Sequence, residues 1–209
     1  MDLYLFEDTV PAGQQVNFVE TIGRAIYVTA GAAGVADKSY VVDEGFVAAG
    51  AMALTAGPEG ASLWRWELLD KAPDANGAMT RIKNAGKVLD EFVSAKHFIR
   101  LDSVSFPPGG VAMLHSHAGP GIRCLREGTI RIDSEGTSTC YGPGGAWFEN
   151  GPEPVFAQAD QQIASRFIRV SILPQAFLGK SSIKYVNEED AAKPKVQTYH
   201  RFGEQLLAL

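Results

Sequence analysis

The chain has 209 residues, 45% of them apolar and 21% charged, with a formal net charge of −5. That is enough chain to bury a sizeable core in one large domain or two small ones. The acidic balance, with no run of clustered Lys and Arg, excludes nucleic acid as the main partner, because phosphate binding needs such clusters.

The N-terminal stretch Met1-Asp2-Leu3-Tyr4-Leu5-Phe6-Glu7-Asp8 lacks the basic region and long apolar run of a secretory signal. No apolar run reaches the roughly 20 residues that span a bilayer. A soluble cytoplasmic protein with no membrane partner is expected. Two cysteines, Cys124 and Cys140, make no disulfide framework and no CxxC pair.

Along the chain the pattern is β throughout. Short runs rich in Val, Ile, Phe and Tyr alternate with Gly, Pro and Asp turns, as in a sandwich or barrel. An internal repeat organises these runs. The stretch Pro11–Gly31 matches Pro108–Gly128, with Pro11, Gly13 and Gly31 each 97 positions from Pro108, Gly110 and Gly128. Each copy places an apolar run before its last glycine: Ala25-Ile26-Tyr27-Val28 in the first, Ile122-Arg123-Cys124-Leu125 in the second. Gly45 then pairs with Gly142, Gly57-Pro58-Glu59 with Gly151-Pro152-Glu153, and Trp64–Leu69 with Ile168–Leu173 at a spacing of 104.

Two regions stand outside the repeat. Lys71–Gly77 reads as a loop, followed by one short helical face from Val88, Leu89 and Phe92. Beyond Pro174, Ile183–Val186 and Val196–Tyr199 read as strands around a polar Asn187–Lys195 turn. Such a tail covers a sheet edge of its own barrel or pairs with a second subunit. The expected organisation is a barrel over 1–75, a linker over 76–89, a barrel over 90–175 and an extension over 176–209, with a homodimer as the expected assembly.

Of four histidines, two form His115-Ser116-His117. On a strand, alternate side chains share a face, so both imidazoles point the same way, as a metal needs. Imidazole suits Fe, Ni, Zn and Cu, and a carboxylate partner adds Mn. Glu149 is the candidate carboxylate, if it points inward. Arg123 argues the other way: an inward guanidinium disfavours a cation, pairs with Glu149, or holds a substrate carboxylate through its fork. Trp147 and Phe156 flank the same region as candidate substrate contacts. Trp64 and Trp66 share a strand face and read as core or interface anchors. Cys124 should face away from Arg123, and His97 joins the site only if its strand lies beside the histidine pair.

Pro108–Gly128 resembles the first signature of the cupin superfamily, in which a glycine precedes an HxH pair, then a glutamate, then a final glycine. His115, His117 and Gly128 fit, while Gly121 stands where the ligand glutamate belongs. Gly145–Phe156 resembles the second signature in its glycine and turn, but Val155 or Phe156 occupies the ligand-histidine position. The first copy has Phe18, Glu20 and Arg24 at the places of His115, His117 and Gly121. The resemblance implies an all-β fold of two tandem cupin-like barrels, double-stranded β-helices of jelly-roll form, with a C-terminal extension. It implies a small-molecule ligand in the second barrel and a divalent transition metal (Fe, Mn, Ni or Zn) on His115, His117 and Glu149. Three functions follow: a metal-dependent enzyme of dioxygenase or isomerase type with Arg123 on a substrate carboxylate, a metal-free binder or sensor, or an assembly protein.

Overall fold

The computed structural model describes residues 1–71 and 79–209. The first half builds one curled sheet from β1 (Asp2–Val10), β2 (Gln15–Phe18), β3 (Arg24–Val35), β4 (Lys38–Val41), β5 (Gly45–Ala48), β6 (Met52–Leu69) and β7 (Thr80–Lys87). The main order is β4-β3-β6-β1-β7, with β2 on β6 and β5 on β3. The long strands β3 and β6 turn a corner together at Gly31 and Gly60, both with positive φ (69° and 82°). A Cβ on Gly31 would lie 2.1 Å from the Gly60 carbonyl oxygen, so only glycine permits this approach.

The second half contains β8 (His97–Phe106), β9 (Val111–His117), β10 (Gly121–Glu127), β11 (Ile130–Ser134), β12 (Thr137–Tyr141), β13 (Ala146–Glu149), β14 (Val155–Ala159) and β15 (Ser165–Pro174). The tail adds β16 (Ile183–Tyr185), α1 (Glu188–Ala192) and β17 (Thr198–Leu206). These strands form two facing sheets, β13-β10-β15-β8-β17 and β12-β11-β14-β9-β16. The tail therefore gives one edge strand to each sheet of its own barrel, and α1 falls inside the stretch expected to be a polar turn.

The repeat is real at the level of register. Tyr27 faces Trp64 across β3 and β6, and Cys124 faces Ile168 across β10 and β15, which preserves both the 97 and the 104 spacing. Four sequence matches are corrected. The first turns superpose Pro11 on Pro107, because Gln14 N–H bonds the Pro11 carbonyl as Gly110 N–H bonds that of Pro107. The left-handed glycines there are accordingly Gly13 and Gly109. Val41, not Gly45, matches Gly142: the Glu44 and Gly145 N–H groups bond the carbonyls of Val41 and Gly142, as the Val28 and Leu125 N–H groups bond those of Glu44 and Gly145. Gly57-Pro58-Glu59 lies inside β6, whereas Gly151-Pro152-Glu153 joins β13 to β14, so those triplets are not equivalent.

Three apolar clusters fill the molecule. Ile26, Val28, Leu54 and Leu63 fill the first barrel. Val104, Leu125, Ile132 and Phe167 fill the second. The largest joins the outer faces of both, with Leu5, Tyr27, Trp64 and Trp66 against Leu101, Ile122, Cys124 and Val170. Trp64 and Trp66 are thus interface anchors, and Cys124 faces away from Arg123.

The stretch expected to be a linker is structural. Thr80–Lys87 pair with β1, so the first sheet gains an edge strand there. Val88 is fully buried between the barrels while Leu89 is exposed, so they share no helical face; only Asp90–Phe92 form a single 3₁₀ turn. The loop read over Lys71–Gly77 lies, from residue 72 on, outside the described residues. Among the described residues no helix is long and apolar enough to cross a membrane.

Candidate functional site

A cavity of about 370 Å³ lies inside the second barrel. Its floor is apolar, from core residues such as Val104, Phe106, Ala157 and Phe167. Its polar wall gathers His115 and His117 from β9, Arg123 from β10, Glu149 from β13, Arg169 from β15 and Asp102 from β8. Period-2 alternation puts His115 with His117, and Arg123 with Leu125, on inward faces.

Each group has a defined partner. His115 Nδ1 lies 2.7 Å from the Met113 carbonyl, which can only accept, so Nδ1 carries the proton and Nε2 is bare. The two imidazoles meet edge to face, with centroids 4.9 Å apart. His117 Nε2 lies 3.5 Å from Glu149 Oε2, and its buried Nδ1 has no partner. Burial lowers the pKa of His115. It holds that of His117 well below the ordinary value, with Arg123, Arg169 and His115 adding in the same direction.

Glu149 points inward, and both its oxygens are engaged. Oε1 accepts from the Trp147 indole N–H at 2.8 Å, and Oε2 lies 2.7 Å from Arg123 Nη2. That last contact is an ion pair without hydrogen-bond alignment: Arg123 Nη2 and Glu149 Oε2 are both buried and otherwise unbonded. Arg123 Nη1 donates to the Gly121 carbonyl at 2.7 Å. Burial pulls the Arg123 pKa down to about 10 against the attraction of Glu149, so the group stays cationic at neutral pH. Arg169 forms a two-point fork on Asp102, at 2.9 and 2.7 Å. Burial opposes its charge, but Asp102 leaves its pKa above the ordinary value.

The arrangement does not fit the expected metal. Among the described residues no three His, Cys, Asp or Glu side chains form a group that could hold an ion. Glu149 serves Trp147 and Arg123 instead, and a buried guanidinium next to the imidazoles repels a cation. His97 does not join the set: it is not part of the cavity lining, its ring lies against Phe92, and its Nδ1 pairs with Ser94 Oγ at 2.8 Å.

Two expected substrate contacts lie elsewhere. Phe156 falls between the inward Val155 and Ala157, so its ring turns outward beneath Arg131, 5.4 Å from the guanidinium carbon. Trp147 sits in the barrel core, stacked on Tyr141, and lines a neighbouring cleft rather than the central cavity. Sequence reading missed Arg169 and Asp102. The available signal was a charge within an apolar strand run: Phe167-Ile168-Arg169-Val170-Ser171-Ile172-Leu173 has one polar group too large to leave unpaired.

Among the described residues, the first barrel fills the equivalent positions differently. Register places Arg24 at the position of Gly121 and Ile26 at that of Arg123. Arg24 Nε bonds Glu67 at 2.5 Å, Arg65 bonds both Glu67 and Asp8, and both guanidiniums stack on Phe18. Arg24 and Arg65 are thus balanced by Glu67 and Asp8 within the barrel.

At the level of sequence, no family model and no curated protein matches the chain. Solved structures do. An oxalate decarboxylase of Lactobacillus farciminis in complex with formate superposes with a TM-score of 0.64 at 12% identity, covering 92% of this chain and 82% of that one. A cupin 2 conserved barrel domain protein from Leptotrichia buccalis gives 0.53 at 10%, covering 82% and 84%. This chain has the cupin fold. A Bacillus subtilis oxalate decarboxylase with Mn(II) centres has the same cupin fold, with a TM-score of 0.62 at 10% identity, covering 92% and 73%. At such identities the likeness is one of fold alone, and the cupin fold hosts many chemistries.

Proposed function

We propose that the second barrel binds a small organic acid, with the carboxylate held by Arg123 and Arg169 and the apolar part on the barrel floor. One observation carries this reading: Arg123 Nη2, fully buried in the cavity wall, has no aligned hydrogen-bond partner. A buried guanidinium with an unused donor is costly unless something completes it. A carboxylate does so with two parallel bonds. The unpartnered His117 Nδ1 lies in the same wall and adds a second polar contact for the ligand. The cavity is also a cationic spot in an acidic chain, lined by five Arg and Lys side chains against two carboxylates, which favours anion entry.

Calorimetric titration with pentanoate tests this. The expected result is one site per chain, lost in the double variant Arg123→Met/Glu149→Gln, which removes the guanidinium without stranding a carboxylate. Absence of binding to the intact protein, or unchanged affinity in the double variant, overturns the reading.

A further inference from the structure

The tail does more than cover sheet edges. Lys180, Ser182, Gln197 and Arg201 all line the cavity, although none belongs to the repeated barrel. Ser182 and Gln197 are buried polar side chains, 7% and 6% exposed, so this wall is built rather than draped.

The loop carrying Lys180 is pinned from inside the barrel. Arg100, 2% exposed, donates through Nη2 to the carbonyls of Phe177 at 2.7 Å and Lys180 at 2.9 Å. Its Nε bonds Glu204 Oε1 at 2.6 Å, and Glu204 Oε2 accepts from Gly179 N–H at 3.1 Å. A buried guanidinium and a β17 carboxylate thus fix the backbone of the Lys180 loop at the rim.

Charge balance divides the cavity into two parts. Deep in the barrel, Arg123 and Arg169 are matched one to one by Glu149 and Asp102. At the rim, Arg100, Lys180 and Arg201 stand against one carboxylate, Glu204, which contacts Arg100 at 2.6 Å and Arg201 at 3.3 Å, so the excess positive charge lies there. Lys180 itself has no ion pair among the described residues.

We infer that the C-terminal extension supplies a second anion-recognition point, centred on Lys180 with Arg201 beside it, and that the ligand carries two acidic groups. This rests on the proposed organic-acid site. The deep group meets Arg123 and Arg169, and the outer one meets the rim cation. A Lys–carboxylate pair at a half-open rim contributes a few-fold in affinity and is screened by salt.

The test compares glutarate with pentanoate, acids of equal carbon number, by calorimetry at pH 7.5 and low ionic strength. Glutarate should bind about threefold to fivefold tighter. Lys180→Met should bring glutarate to the level of pentanoate and leave pentanoate unchanged, and Lys180→Glu should reverse the preference. Lys180 is exposed, so both variants fold. Equal binding of the two acids, or a glutarate preference that survives Lys180→Met, overturns this inference while the organic-acid reading stands. If neither acid binds the intact protein, both fall together.

Discussion

Arg123 and Arg169 are direct cross-strand partners in the register of β10 and β15. Like charges placed opposite each other destabilise a sheet. Here each is met by its own carboxylate, Glu149 for Arg123 and Asp102 for Arg169. The second barrel therefore keeps two buried cations directly opposed in a cavity wall. Its own first half shows the alternative, with Ile26 at the equivalent of Arg123 and only Arg65 retained.

That arrangement predicts a non-additive stability pattern. Arg123→Met leaves the Glu149 carboxylate buried and unpaired, and should cost about 3–5 kcal/mol. Adding Glu149→Gln should recover most of the loss, because breaking a buried pair is worse than deleting it. Urea denaturation of the two single variants and the double gives the coupling directly. Additive losses would show that the pair is not energetically linked.

Acid should weaken the fold through the imidazoles. Burial, and for His117 also the nearby guanidiniums, lowers both pKa values below the roughly 6.5 of an unfolded histidine. Below that pH the unfolded chain binds more protons than the folded one. The stabilisation is complete above about pH 6.5 and declines as pH falls, by up to about 1.4 kcal/mol per pH unit for each histidine. The urea midpoint should drop between pH 7.5 and 5.5, and His115→Gln/His117→Gln should flatten that slope. An unchanged slope would assign the pH dependence to other groups.

Metal should not stabilise this protein. With Glu149 held by Arg123 and Trp147, millimolar Mn, Fe, Ni or Zn should leave the Tm unmoved, and protein purified without a histidine tag should carry no stoichiometric metal. A site filled at a hundred times its Kd adds about 2.7 kcal/mol, several degrees in a thermal melt. Such a rise would mean that the guanidinium swings away and frees Glu149.

The two cysteines should differ sharply in reactivity. Cys124 is buried between the barrels, and burial pushes its thiol up to about 12, whereas Cys140 is exposed. Only the thiolate reacts. A thiol-specific dye should therefore modify one cysteine per native chain and two in urea. Two fast-reacting thiols in the native protein would contradict the back-to-back packing of the barrels.

The sequence by itself determined the two-barrel plan and the four inward side chains that meet at the second barrel's cavity. Turn glycines, apolar runs and the spacing of Trp64 to Ile168 are local features written residue by residue, and strand alternation turns His115, His117, Arg123 and Glu149 inward without reference to the rest of the chain. Local periodicity says which face a side chain takes but not which strand lies beside it. So Phe156, one residue out of phase with Val155 and Ala157, lies off the cavity although its sequence position is next to it. Arg169 and Asp102 reach the cavity only through the pairing of β15 with β8, and Lys180 only because Arg100 and Glu204 fix its loop at the rim, contacts distant along the chain that local patterns do not show. The choice facing Glu149, metal ligand or counter-ion, was likewise undecidable from spacing. The tertiary structure places a buried guanidinium 2.7 Å from the carboxylate, where leaving either charge alone would cost more than pairing them.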